Sequence, residues 1–162
     1  MVTAYTCTSS GLWLCSGAGE PLDSAITNDA GKVVFNTGYG VGYLRIRKDN
    51  YWPAEYSALP SWESVQRLTP IATLKLNITR VNQYPPYYRL NLSAAADCSS
   101  SAGGDEDLFQ PANGFIYLKG FGNCNNFIYW RVDTARNDLL GYGTTSSMMI
   151  NRFDTAEFSI EY

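Results

Sequence analysis

The chain has 162 residues, of which 45% are hydrophobic and 17% charged, with a formal net charge of −3 and no histidine. That length suits one domain, able to bury roughly two-thirds of its unfolded surface in a single core. The weak acidic balance offers no footprint for nucleic acid, and no apolar run approaches the ~20 residues of a membrane helix.

Without histidine there is no Ser-His-Asp or Cys-His machinery, and no GxSxG, Walker-type or dinucleotide glycine pattern occurs. A carboxylate-pair glycosidase needs only that two acids meet in space. The acids here are few outside predicted loop tips, so the expectation is a chain that is not an enzyme and uses no cofactor.

The first segment, residues 1–17, lacks the basic start and continuous apolar block of a signal peptide. Either the chain is not exported or a signal ahead of Met1 has been removed. The four cysteines favour export. Three connectivities are possible, and locality selects Cys7 with Cys15 and Cys98 with Cys124. Loop entropy gives these bridges roughly 2.5 and roughly 3.5 kcal/mol. Four free thiols in a cytosolic protein is the rival state, whereas zinc finds neither a CxxC nor a histidine.

Residues 33–52, VVFNTGYGVGYLRIRKDNYW, join an apolar strand with spaced glycines to a polar, basic and aromatic segment. Gly38, Gly40 and Gly42 allow a bend or bulge, and Tyr39, Tyr43, Tyr51 and Trp52 supply flat faces, the composition of a strand-mounted recognition surface. A plain glycine-bent strand with a solvated end is the structural alternative. Residues 61–66 are the best candidate for a short helical turn, with Pro60 ahead of Trp62.

Residues 71–81 carry the clearest strand, with Ala72, Leu74, Leu76 and Ile78 alternating with Thr73, Lys75, Asn77 and Thr79. Tyr88, Leu90 and Leu92 repeat the pattern after Pro85-Pro86 forces a turn, so residues 75–92 read as two strands of one sheet. Residues 99–107, SSSAGGDED, read as a mobile loop tip, with calcium at Asp105, Glu106 and Asp107 a minor alternative. In GFGNCNN, residues 120–126, three asparagines surround a cysteine and offer paired donors and acceptors for vicinal hydroxyls, or merely suit turn geometry. Further short strands follow at 115–118, 127–132, 148–150 and 156–162, with Trp130 assigned to the core. Many short strands at near-regular spacing define an all-β sandwich or jelly roll. Asn77-Ile78-Thr79 and Asn91-Leu92-Ser93 match the N-glycosylation pattern but lie in predicted strands.

The run Phe35-Asn36-Thr37-Gly38-Tyr39, followed by Val41-Gly42-Tyr43, resembles a strand of the N-terminal lectin domain of F17-type fimbrial adhesins, the sugar-binding tips of chaperone-usher pili. The likeness extends loosely to residues 148–162, where a polar turn leads into a final alternating strand. It implies an immunoglobulin-like elongated β-sandwich and a shallow lateral site, free of metal, for a terminal sugar such as N-acetylglucosamine. It also implies export through the periplasm to an extracellular fimbrial tip. Residues 1–162 would then be a single receptor-binding lectin domain, monomeric and excised from a two-domain adhesin. The missing pilin domain would receive a donor strand from the next pilus subunit. After the motif the chain departs from the family, whose binding asparagine falls near Arg47.

A sugar site needs aromatic faces for C–H groups and planar polar side chains for hydroxyls. The candidates are Arg45, Arg47, Asp49, Asn50 and Trp52, with Asn123, Asn125 and Asn126 on the second loop. The expected function is a non-enzymatic adhesin module holding a host glycan or glycoprotein. The alternatives are an adhesin domain for a host matrix protein and a viral or phage receptor-binding or capsid β-domain, for which trimerisation would speak.

Overall fold

The structure, a computed structural model, describes residues 1–7, 10–11, 14–15, 18–35, 41–57, 67–99 and 102–162. Among these the chain is all-β, without a helix, and no helix is long and apolar enough to cross a membrane. It divides into two units, Met1–Leu68 and Thr69–Tyr162. The Cys7–Cys15 pairing, Trp62 and the helical turn expected at 61–66 lie outside the described side chains and residues.

The first unit holds β1 (Val2–Cys7), β2 (Ser10–Gly11), β3 (Leu14–Cys15), β4 (Ala18–Ala25), β5 (Tyr43–Ile46) and β6 (Ala54–Ser57). An antiparallel sheet runs in the order β4-β1-β5-β6, and β2 pairs with β3. Val2 and Ala4 are buried, as is Thr3, whose hydroxyl accepts a hydrogen bond from Ser24 at 3.0 Å. The strand expected from Val33 does not form over residues 33–35: no ladder partner lies beside them, and Val34 is 81% exposed. An apolar run becomes a strand only where another edge receives its backbone groups. Tyr43 to Ile46 have such edges, lying between β1 and β6, whereas residues 36–40 of the glycine motif fall outside the described chain.

The second unit holds β7 (Ile71–Thr79), β8 (Tyr88–Ala96), β9 (Asp105–Phe109), β10 (Gly114–Phe121), β11 (Cys124–Thr134), β12 (Leu139–Thr144), β13 (Met148–Ile150) and β14 (Thr155–Glu161). One sheet has the order β10-β7-β14, with β14 parallel to β7. The other has β12-β11-β8-β9, with β13 on the end of β11. Ala72, Leu74, Leu76 and Ile78 from the first sheet meet Leu90, Leu92, Ala94, Ile128 and Val132 from the second in one apolar cluster closed by Phe158, Ile160 and Tyr162. This is a β-sandwich. Each fully buried leucine or isoleucine contributes about 1.5–3 kcal/mol by removal from water.

Two expectations change here. β7 and β8 belong to opposite sheets rather than one. Alternation requires that each strand bury one face, but it does not name the hydrogen-bonding neighbour. The connector through Pro85-Pro86 is long enough to cross between layers, with Tyr87 at φ 67° ending it. The supposed loop tip at 99–107 becomes strand β9 from Asp105 onward, paired with β8. Gly103 and Gly104 make this possible by pressing against the neighbouring backbones. Gly104 N–H bonds Lys119 C=O at 2.7 Å and Gly103 N–H bonds Ala94 C=O at 2.8 Å, leaving no room for a Cβ at either position. Residues 100–101 lie outside the description.

Candidate functional site

β8 and β11 sit at the centre of their sheet, and where Arg89 and Asn91 pair with Asp133 and Arg131 the residues that alternate away from the core are strongly polar. Arg89 and Asn91 point outward from β8, as do Tyr129, Arg131 and Asp133 from β11. Register places Asn91 opposite Arg131 and Arg89 opposite Asp133. Arg131 Nε donates to Asp133 Oδ1 at 2.7 Å, and Asn91 Nδ2 donates to Asp133 Oδ2 at 3.1 Å. One step toward the edge, Arg89 Nη1 reaches Asp107 Oδ2 on β9 at 3.3 Å. Arg89, Asn91, Arg131, Asp133 and Asn137 line an open depression of about 330 Å³.

Asn137 is held by its turn. Thr134 Oγ1 accepts the amides of Arg136 and Asp138 at 3.2 and 3.1 Å, and Asn137 takes φ 65°. Its side-chain amide, the Nη groups of Arg131 and Oδ1 of Asn91 have no partner among the described residues, so donors and acceptors converge on the depression. Aromatic rings flank them. Tyr142 on β12 lies directly opposite Arg131 and is 75% exposed; Tyr129, at 52%, meets Phe127 edge-on with ring centroids 5.1 Å apart. On the β9 side, exposed Phe109 is opposite Arg89 and stacks with Tyr87 at 6.4 Å. Behind this face Trp130 packs on the core as expected, its indole lying where a Cβ on Gly143 would be, 2.6 Å away.

The residues predicted from sequence fall into both units. In the first, Arg45 is tied to Glu55, its Nε 2.6 Å from Oε1, while Tyr43 Oη donates to Oε2 at 2.5 Å. The Tyr43 hydrogen bond, followed by Arg45, holds the Glu55 carboxyl below its ordinary value, and the same bond raises the Tyr43 phenol. Arg45 also lies over the Tyr5 ring at 5.4 Å. Arg47 is exposed, and its backbone bonds that of Met1. Asp49 and Asn50 form an exposed turn in which Asn50 takes φ 63° and Tyr51 N–H reaches Lys48 C=O at 3.1 Å. Trp52 is half-buried.

In the second unit each of the three asparagines makes hydrogen bonds within the fold, and Asn126 uses both ends of its amide. Asn126 is 0% exposed; its Oδ1 accepts Phe121 N–H at 2.8 Å, and its Nδ2 donates to the carbonyls of Phe121 and Cys124 at 2.7 and 3.0 Å. It has no free amide edge for a hydroxyl. Asn123 sits at φ 60° in the turn between β10 and β11, with its Oδ1 accepting Arg152 N–H at 3.0 Å. Asn125 is bound to Asp97 through both its backbone and its side-chain nitrogen. Of the two readings of this loop, these contacts favour turn geometry: a tight turn beside a bridge leaves backbone groups without strand partners, and amide side chains supply them with both a donor and an acceptor.

The Cys98–Cys124 disulfide forms as expected, with Cα atoms 5.8 Å apart. Asp97 lies beside it, but a bonded sulfur pair has no thiolate to offer a metal. Strand β9 sends Asp105 and Asp107 to one side and Glu106 to the other, so the three cannot converge on calcium. Asn91 Nδ2, the atom that glycosylation would need, is occupied by Asp133.

Nothing in Arg89, Asn91, Arg131 or Asp133 taken singly distinguishes them from the solvated face of any strand. The available signal was that Arg89 and Asn91 on one strand and Tyr129, Arg131 and Asp133 on the other alternate with the apolar Leu90, Leu92, Ile128 and Val132. No family model, no curated protein and no solved structure matches this chain.

Proposed function

We propose that the chain is a non-enzymatic binding module that engages a neutral carbohydrate on the outer face of the β12-β11-β8-β9 sheet. The observation that carries this reading is the cluster of Arg131, Asp133 and Asn91, joined at 2.7 and 3.1 Å, beside the exposed Tyr142 ring. A sugar presents hydroxyls that both donate and accept, together with apolar ring faces. The cluster supplies guanidinium donors and amide groups with unused capacity, and tyrosine supplies the flat surface.

Charge balance supports a neutral ligand. Arg89 and Arg131 are each already paired with an aspartate, so neither presents an uncompensated cation to an acidic group. The same pairing supports binding over catalysis, since both carboxylates accept from arginine and neither is arranged as a proton donor. Loss of little side-chain freedom on binding follows from the mutual hydrogen bonds, which hold the cluster in place beforehand. An adhesin at a fimbrial tip is the setting to which the resemblance at 35–43 points, with strength drawn from many weak contacts.

The test is a glycan array probed with the chain and with Arg131→Ala and Tyr142→Ala. Neutral glycans should bind the parent, and both variants should lose that signal while keeping the parent's unfolding midpoint. An array without hits, or hits unaffected by both substitutions, refutes the reading. Hits lost instead on Arg47→Ala would move the site to the first unit.

A further inference from the structure

The depression lined by Arg89, Asn91, Arg131, Asp133 and Asn137 is open, and exposed aromatic platforms stand on two sides of it, the stacked Tyr87 and Phe109 at the β9 edge and Tyr142 and Tyr129 on β12 and β11. From this we infer, building on the carbohydrate reading, that the face takes an internal stretch of an oligosaccharide lying across the strands, rather than the single terminal sugar of a closed pocket.

The registers define the track. Asp107, Asn91, Arg131 and Tyr142 form one cross-strand row, and Phe109, Arg89, Asp133 and Leu139 the next. Phe109 and Tyr142 therefore stand at opposite ends on adjacent rows. Three strand spacings and one pleat repeat separate them by about 16 Å, which exceeds the width of one sugar ring. Between the platforms run the ion-paired arginines and Asn91, so hydroxyls of intermediate units meet donors and acceptors throughout.

All four platform rings are exposed: Tyr87 65%, Phe109 58%, Tyr129 52% and Tyr142 75%. None of them belongs to the apolar cluster that the two sheets enclose. A ligand touching one platform leaves the other in water. Only a chain of linked units reaches both, and the second contact then forms at high effective concentration.

The experiment is calorimetric titration with chito-, cello- and manno-oligosaccharides of one to six units. Affinity in the recognised series should rise by about tenfold or more from one unit to three and then level off. Phe109→Ala should abolish that gain, bringing the affinity of the longer oligomers down to that of the shortest ligand that binds. If one unit binds as tightly as four, or Phe109→Ala weakens all lengths by the same factor, the cross-strand track is wrong although carbohydrate binding stands. If no length of any series binds and the glycan array is also empty, both readings fall together.

Discussion

Replacing Asn126 tests whether the asparagine cluster beside Cys124 builds the fold or meets a ligand. Its side chain is completely buried and makes three hydrogen bonds, all to backbone: Phe121 N–H, Phe121 C=O and Cys124 C=O. Asn126→Ala removes all three, at about 1 kcal/mol or somewhat more each because the groups are buried, for a total of about 3–4 kcal/mol. With a urea slope of about 2 kcal/mol/M the midpoint should fall by about 1.5–2 M. Asn126→Asp should lose at least as much, because a carboxylate would face two carbonyl oxygens it cannot bond. Near-UV circular dichroism across a urea series measures both. An Asn126→Ala chain with an unchanged midpoint that had lost glycan binding would refute the structural assignment and return Asn126 to the ligand site.

Three further outcomes are expected. Replacing Cys98 and Cys124 together with alanine reopens a loop of sequence separation 26 and should cost about 3.5 kcal/mol, read as a lower thermal and urea midpoint. Asp133→Ala removes the acceptor shared by Arg131 and Asn91. As Arg131 is half-exposed and regains water, stability should drop by only about 1–2 kcal/mol, while oligosaccharide titration should show a much larger fractional loss of affinity. Burial, then the hydrogen bond with Tyr88, raises the Tyr162 phenol above its ordinary 10.0. Below that pH both folded and unfolded chains hold the proton. Above it the unfolded chain ionises first, so stability should fall as pH rises past 10.0, and Tyr162→Phe should flatten the decline. A steeper alkaline decline in that variant would contradict the assignment.

Residues 71–79 show how much of this fold was legible from order alone. Four apolar side chains at period two, with polar residues between them, dictate one buried face, and all four are buried. The inward placement of Trp130 follows from its alternation with Ile128 and Val132, the strand at 148–150 from a short apolar run between turn residues, and the Cys98–Cys124 bridge from locality. Less was legible where a segment takes its structure from its surroundings. Asp105 to Phe109 is too acidic to look like a strand, yet it pairs because β8 presents a free edge and two glycines admit the approach.

The candidate site belongs wholly to this second kind. Arg89 and Asp133 are far apart in sequence and become neighbours only through the register of β8 and β11. By itself the sequence determined that the chain is all-β, which strand faces are buried and where one disulfide closes, since periodicity and locality act over a few residues. Which sheet each strand joins, and which outward side chains converge beside the exposed tyrosines, was decided by the tertiary structure. Backbone pairing between distant segments carries no local side-chain signature, and the grouping of outward residues is set by that pairing alone.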